Sequence, residues 1–222
     1  MNSSNYLFKE EALGCISKYP RLKYVEEKEG IPTIQGELIL KNDQGEEIDS
    51  YKIRIVCSQD YPFSFPKVFE TGGRIPPNIE WHVHTDRHAC ICTWPEELIL
   101  CSQGIKLSYF IEGQVIPYFF NQKHRETFGF FFNERAHGIR GNLDFFKEEF
   151  RTNDLQLVFH CLQYIKRNKE PNRVHECFCG SGKKYRKCHR EEFRKFKALP
   201  FEMIDRFIKF IKSSEPNLLL EL

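Results

Sequence analysis

The chain has 222 residues, 41% of them hydrophobic and 29% charged, with a formal net charge of +2. At roughly 100–200 residues per domain this holds one full domain and a smaller module. No apolar run nears the ~18 residues of a membrane-spanning helix, and the opening MNSSNYLFKEEALGC lacks the apolar centre of a signal peptide, so a soluble cytoplasmic protein with no membrane partner is expected. In that setting nine cysteines, an odd number, argue against a disulfide framework and for metal or thiolate chemistry.

Ser3 or Ser4 can cap a first helix whose stripe is Phe8, Ala12, Cys15 or Ile16, and Tyr19, ending at Pro20. Four strand-like runs follow: RLKYVEE, TIQGELILK, SYKIRIVCS and KVFET. The second and third are joined by a segment whose Asp-Gln-Gly is hairpin material. The 33 residues from Gly72 to Gly104 lack regular pattern, and a stretch of that length in a compact domain is a functional loop. Helical pattern returns in KLSYFIEGQVIPYFFNQ, which Pro117 is expected to kink or end. A polar loop, NERAHGIRGN, precedes LDFFKEEF. Leu155, Val158, Leu162 and Ile165 then mark one face of an amphipathic helix, and Phe201, Ile204, Ile208 and Ile211 mark another that starts at Pro200.

Between Lys166 and Lys197 stand 12 basic and 4 acidic residues, a local +8 that leaves −6 for the rest of the chain. Inside this basic stretch, Cys177-Phe178-Cys179 and Cys188-His189 supply three thiolates and one imidazole, the ligand set of a tetrahedral structural zinc site. Gly180 and Gly182 permit the turn that brings the two pairs together. The run CFCGSGKKYRKCH resembles the SEC-C motif, which implies one bound zinc ion and an adaptor surface rather than catalysis. The same glycines and lysines lack the spacing of a phosphate-binding P-loop.

The central loop packs His82, His84, His88, Asp86, Cys90 and Cys92 into eleven residues. Three readings compete. His82-x-His84-x-Asp86 is similar to the start of a metallo-β-lactamase-type centre, although neither the Ser-x-x-Asp of a JAMM-type isopeptidase nor the Pro-Cys-x-x-Cys of a nucleobase deaminase is present. The histidines and cysteines can also be structural. The third reading is thiolate chemistry. Tyr61-Pro62-Phe63-Ser64-Phe65-Pro66, Ile91-Cys92 and a histidine ten residues earlier, His82, on a helix-then-meander layout, resemble the ubiquitin-conjugating enzyme family over residues 1 to about 150. Val83 and His84 replace that family's Pro-Asn, and Ala89 stands near its glycine.

The resemblance implies an α+β fold: a helix and a four-stranded antiparallel meander with C-terminal helices (residues 1–150), then a connecting helix and linker (151–170), a zinc knuckle (171–192) and a last helix (193–222). It also implies a transferase that carries a ubiquitin-like modifier, or another activated carboxylate, as a thioester on Cys92 and passes it to an amine. The modifier, its activating enzyme and a target protein would then be partners. His82, His84 and Arg87 would each raise the thiolate fraction of Cys92, and His84 would hold the oxyanion in place of the family's asparagine or act on a proton. Cys101 is the alternative nucleophile, while Cys15, Cys57 and Cys161 lie in apolar stripes and read as packing residues. Bacterial relatives of the family carry such histidine-bearing loops and serve anti-phage conjugation, so a defence role is implied by resemblance. The competing function is a catalytically inactive fold of the same kind, whose zinc knuckle recruits protein or nucleic-acid partners through its basic surface.

Overall fold

The computed structural model describes residues 3–214. They divide into two compact units. One comprises residues up to Cys92 together with Leu100–Arg135, and the other comprises Thr93–Ile99 together with residues from Ala136 onward.

The first unit opens with helix α1, Ser3–Cys15, which buries Ser4, Phe8, Ala12 and Cys15. Both serines expected as caps lie inside the helix, and the Ser4 hydroxyl donates to the Gln59 carbonyl at 2.9 Å. Four strands follow, β1 (Leu22–Glu26), β2 (Pro32–Lys41), β3 (Glu47–Val56) and β4 (Lys67–Glu70). They form one antiparallel sheet in the order β1-β2-β3-β4, so each strand pairs with its neighbour in sequence. Period-two alternation sends Ile34, Leu38 and Leu40 of β2 and Tyr51, Ile53 and Ile55 of β3 into the core. Gly36 falls between Ile34 and Leu38 because a Cβ there would stand 2.2 Å from the Arg21 carbonyl oxygen, which accepts from the Glu37 amide at 3.1 Å. The β2–β3 turn closes on Asn42, whose side chain accepts from the amides of Gln44 and Glu46, while Gly45 takes φ 82°.

The expected loop from Gly72 to Gly104 is more ordered than its composition implies. It holds a 3₁₀ turn at Ile79–Trp81, a small hairpin, and helix α2, Trp94–Cys101. Trp94-Pro95-Glu96-Glu97 is a helix start, with proline and two carboxylates in the first turn. Helix α3 (Leu107–Phe110), a π turn (Ile111–Val115) and helix α4 (Ile116–Phe128) then run without interruption. Pro117 neither ends nor breaks this rod. The wider π turn just before it absorbs the mismatch left by the missing amide donor. The Glu11 carboxylate ties α1 to the start of the rod, accepting from the Leu107 amide at 2.6 Å and from the Tyr61 hydroxyl at 2.7 Å. At the other end Arg74 joins Asp49 and Glu126, at 2.7 Å each, and lies over the Tyr51 ring.

The second unit is helical: α5 (Gly138–Phe150), α6 (Leu155–Arg167), α7 (Arg190–Lys197) and α8 (Phe201–Ser214). Asp154 caps α6, its carboxylate accepting from the amides of Gln156 and Leu157. In α8 the buried stripe is Ile204, Phe207 and Ile211; Phe201, expected inside, is 55% exposed. The core of this unit is aromatic, with Phe146, Phe150, Phe196 and Phe207 in ring contact, and Trp94, Leu98 and Ile99 of α2 pack on it. Helix α5, counted from the sequence with the N-terminal domain, belongs to this core. Residues 3–214 thus form a mixed α+β chain with a four-stranded antiparallel sheet, helices and a C-terminal Cys/His cluster. None of the described helices is long and apolar enough to cross a membrane.

Candidate metal centre and cysteine loop

The C-terminal cluster is assembled by a short ribbon. Glu176 pairs with Lys184, the Cys177 amide donates to Lys183 O at 2.8 Å, and the Tyr185 amide donates to His175 O at 2.8 Å. Gly180 and Gly182, at φ 76° and 69°, turn the chain between the two arms. A 3₁₀ turn, Tyr185–Lys187, then delivers Cys188, and His189 stands at the entry to α7. Two aromatic anchors seat the ribbon. Tyr185 is fully buried, and the Phe178 ring stacks on Tyr164 with centroids 4.6 Å apart.

The four side chains converge as ligands of one ion would. Their donor atoms all lie within 4.8 Å of one another. Cys179 Sγ and Cys188 Sγ are 3.7 Å apart; His189 Nδ1 is 3.5 Å from Cys177 Sγ and 3.3 Å from Cys188 Sγ. A tetrahedron with zinc–sulfur arms of about 2.3 Å and zinc–nitrogen arms of about 2.05 Å has edges of roughly 3.8 Å and 3.6 Å. The donor set therefore fits zinc in both chemistry and span. His189 Nε2 lies 2.9 Å from the Phe150 carbonyl oxygen. A carbonyl only accepts, so the ring proton sits on Nε2 and the Nδ1 lone pair is left for the metal.

Burial pushes the Cys177 thiol upward in pKa. At Cys179 burial acts in the same direction but is outweighed by hydrogen bonds from the Ser181 hydroxyl and amide and from the neighbouring thiols, and its pKa falls. Four protein donors would fill the coordination sphere of a tetrahedral ion, the arrangement of structural rather than catalytic zinc sites. With a dication bound, three thiolates would leave one negative charge. The exposed cations Lys183, Lys184, Arg186 and Lys187 stand on the same loop, without ion pairs to other described residues.

The central histidines are held by the hairpin over residues 82–90. Val83 pairs with Ala89, the His84 amide donates to His88 O at 2.9 Å, and the Cys90 amide donates to His82 O at 2.7 Å. The hairpin is sewn to β4 by Phe69 pairing with His88 and by the Ala89 amide on Val68 O at 2.7 Å. His82, at φ 51°, sets its ring edge-on to Phe131, and its carbonyl also accepts from the Tyr118 hydroxyl at 3.1 Å. His84 stacks on His88 with ring centroids 4.1 Å apart. His88 Nδ1 is hydrogen-bonded to Asp86, and Lys67 holds the other oxygen of that carboxylate at 2.8 Å. The bonds from Lys67 and then His88 keep Asp86 well below the usual carboxylate range.

This register sets His82 across from Cys90, and the ten-residue interval to Cys92 is not a cross-strand pair. The His82, His84 and Asp86 side chains do not converge as a ligand trio among the described residues. The Asp86–His88 pair was missed in the sequence; its signal is an Asp-x-His spacing that becomes a contact only when the backbone turns, as it does at Arg87 with φ 71°. His137 takes the cap position of α5.

The cysteines fall into classes by surroundings. Cys15, Cys57, Cys101 and Cys161 are buried at 6%, 9%, 1% and 2% exposure. Burial pushes the Cys15 and Cys57 thiols up to about 11 and Cys161 up to about 12. Cys101 is thus placed as a core residue. Cys90 is half-buried, and burial raises its thiol as well. Cys92 is half-buried at a bend beyond the hairpin, two residues before α2.

A family model of the SEC-C motif matches residues 176–191, the segment that contains all four ligands. No curated protein and no solved structure matches the chain.

Proposed function

We propose that the protein is a ubiquitin-conjugating-like transferase whose carrier thiol is Cys92, with a zinc knuckle as a docking module. The supporting observation is the sorting of the thiols. Four lie in the apolar cores and three belong to the Cys/His cluster; of the two half-buried thiols that remain, Cys90 lies in the hairpin and Cys92 in the loop that follows it. The scaffold around it, one helix and then a meander in strict order β1-β2-β3-β4 with helices after, is the layout the resemblance implies.

In this reading the Cys92 thiolate attacks the thioester carbonyl of the activated modifier, and the activating enzyme's thiolate leaves. An amine of the target then attacks the new thioester, the amide bond forms, and Cys92 departs as thiolate while the amine proton passes to a base. In the same reading His84, which stacks on His88, would supply an imidazole N–H toward the tetrahedral oxyanion, and His82 ties the hairpin through its carbonyl. A zinc ion, when bound, supplies structural cross-linking of the ribbon to the helices and takes no part in the transfer. The bacterial anti-phage setting belongs to the same proposal.

The test is loading. Protein incubated with ATP, a ubiquitin-like modifier and the activating enzyme from the same genome should give a reductant-sensitive adduct. The adduct should vanish in Cys92→Ala, become reductant-resistant in Cys92→Ser, and persist in Cys90→Ala. An adduct unchanged in Cys92→Ala would overturn the assignment.

The second reading is an adaptor without transfer chemistry, favoured by the closed ligand set and the four exposed cations of the knuckle. It predicts partner capture that survives Cys92→Ala. If the partner is nucleic acid, its affinity should fall steeply with salt.

A further inference from the structure

The C-terminus of α5 carries an unusual residue in a familiar place. The Thr152 amide donates to Lys147 O at 3.0 Å and the Arg151 amide to Glu148 O at 3.1 Å. This is the double bond of a Schellman motif, whose left-handed position is normally glycine. Here the position is held by Arg151, at φ 52°. A side chain kept where the backbone disfavours one calls for a reason in its contacts.

Those contacts lead to the metal centre. The Arg151 guanidinium donates to the backbone carbonyl of Cys188 and forms an ion pair with Glu192 Oε1 at 3.0 Å. Glu192 is buried, and its second oxygen has no hydrogen-bond partner among the described residues, so Arg151 carries the charge compensation of that carboxylate. The adjacent Phe150 carbonyl accepts from His189 Nε2 at 2.9 Å. Two consecutive residues at one helix end thus grip Cys188, His189 and Glu192, a segment that includes two of the four ligands.

We propose that Arg151 is a positioning residue of the metal centre. It holds the segment from Cys188 to Glu192 so that Cys188 Sγ and His189 Nδ1 face the sulfurs of Cys177 and Cys179. The inference rests on the reading of the cluster as a zinc site. Arg151 touches no donor atom; it acts through the Cys188 backbone and through the carboxylate one turn into α7.

The test uses the full chain with zinc and with cobalt(II) as a spectroscopic stand-in. Arg151→Gly removes the guanidinium while relieving the left-handed backbone, and Arg151→Gly with Glu192→Gln also removes the buried unpaired charge. Both should bind zinc 10–100-fold more weakly in chelator competition, the usual range for loss of an outer-shell partner. Both should also show altered cobalt–thiolate absorption, and Arg151→Lys should recover part of the affinity. A purely structural role would lower the thermal midpoint and leave the cobalt spectrum of the folded protein unchanged, which would overturn the proposal, as would wild-type affinity in Arg151→Gly. Wild-type protein that takes up neither ion would overturn the zinc reading itself, and this inference with it.

Discussion

Gly36 and Asp49 show how much single residues decide in the sheet unit. At Gly36 any Cβ meets the Arg21 carbonyl oxygen at 2.2 Å, and the obstacle is backbone, which cannot swing aside. Gly36→Ala is expected to part β1 from β2 at a loss on the order of 2–3 kcal/mol in denaturant unfolding. Asp49 is held below the usual carboxylate range first by its hydrogen bonds from Arg74, with Lys123 assisting. A depressed folded-state pKa stabilises at pH above the unfolded value of about 3.9 and loses that contribution as pH falls through the folded value. The destabilisation caused by Asp49→Asn should therefore be full at neutral pH and shrink below about pH 4, as read from unfolding midpoints across pH. At this scale the Cys/His cluster was legible because all four residues sit within thirteen positions. Asp86–His88 and Arg151–Glu192 were not, since each depends on a positive φ and on a fold-back that side-chain identity does not announce.

Helices α2 and α6 separate what sequence pattern conveys from what it hides. The α6 stripe recurs at helical spacing, and Leu155, Val158, Leu162 and Ile165 are all buried. Its cap follows the same logic: Asp154→Ala should cost about 1 kcal/mol, measured as a shift in the unfolding of the helical unit. Helix α2 was concealed by its eight-residue length and by a setting rich in Cys, His and Trp, although Trp94-Pro95-Glu96-Glu97 is a start signal. Likewise Pro117 announces a break that the π turn removes, and only the packing of Phe110, Ile111, Val115 and Phe119 into one core shows why the rod continues. The four strands were readable because their alternation is regular. The β2–β3 connection was readable because Asn42 and Gly45 have the turn chemistry it requires.

Across the whole molecule the division into units follows cores rather than sequence order. Helix α5 reads as the end of the first domain by position, yet Phe145, Phe146 and Phe150 share a core with α6, α7, α8 and Cys177. Which core a phenylalanine joins is a tertiary fact with no local signature. Because the ligands belong to that core, the ion should stabilise the helical unit as a whole. Structural zinc in small peptides contributes an apparent ~10–16 kcal/mol. Chelator at neutral pH should therefore lower the helical signal and the unfolding midpoint of this unit, with the sheet unit's transition unchanged. Cys177→Ser should do the same without chelator, and a single transition that ignores chelator would oppose this. The +8 of the basic stretch also resolves at this scale: Arg190 and Arg194 are engaged by Glu170, and Lys195 by Glu149, while the ribbon's four cations are not.

The backbone passes between the two units at residues 92–93, 99–100 and 135–136. Neither unit is therefore a continuous stretch of coding sequence. A fragment ending at Arg135 keeps Trp94, Leu98 and Ile99 but lacks the core they pack on, and one beginning at Ala136 carries that core without them. The segment that carries the Cys/His cluster is consequently not separable at Arg135 without dividing its core. The seven residues that follow Cys92 in the chain thus belong to the second unit, not to the one that holds Cys92 itself.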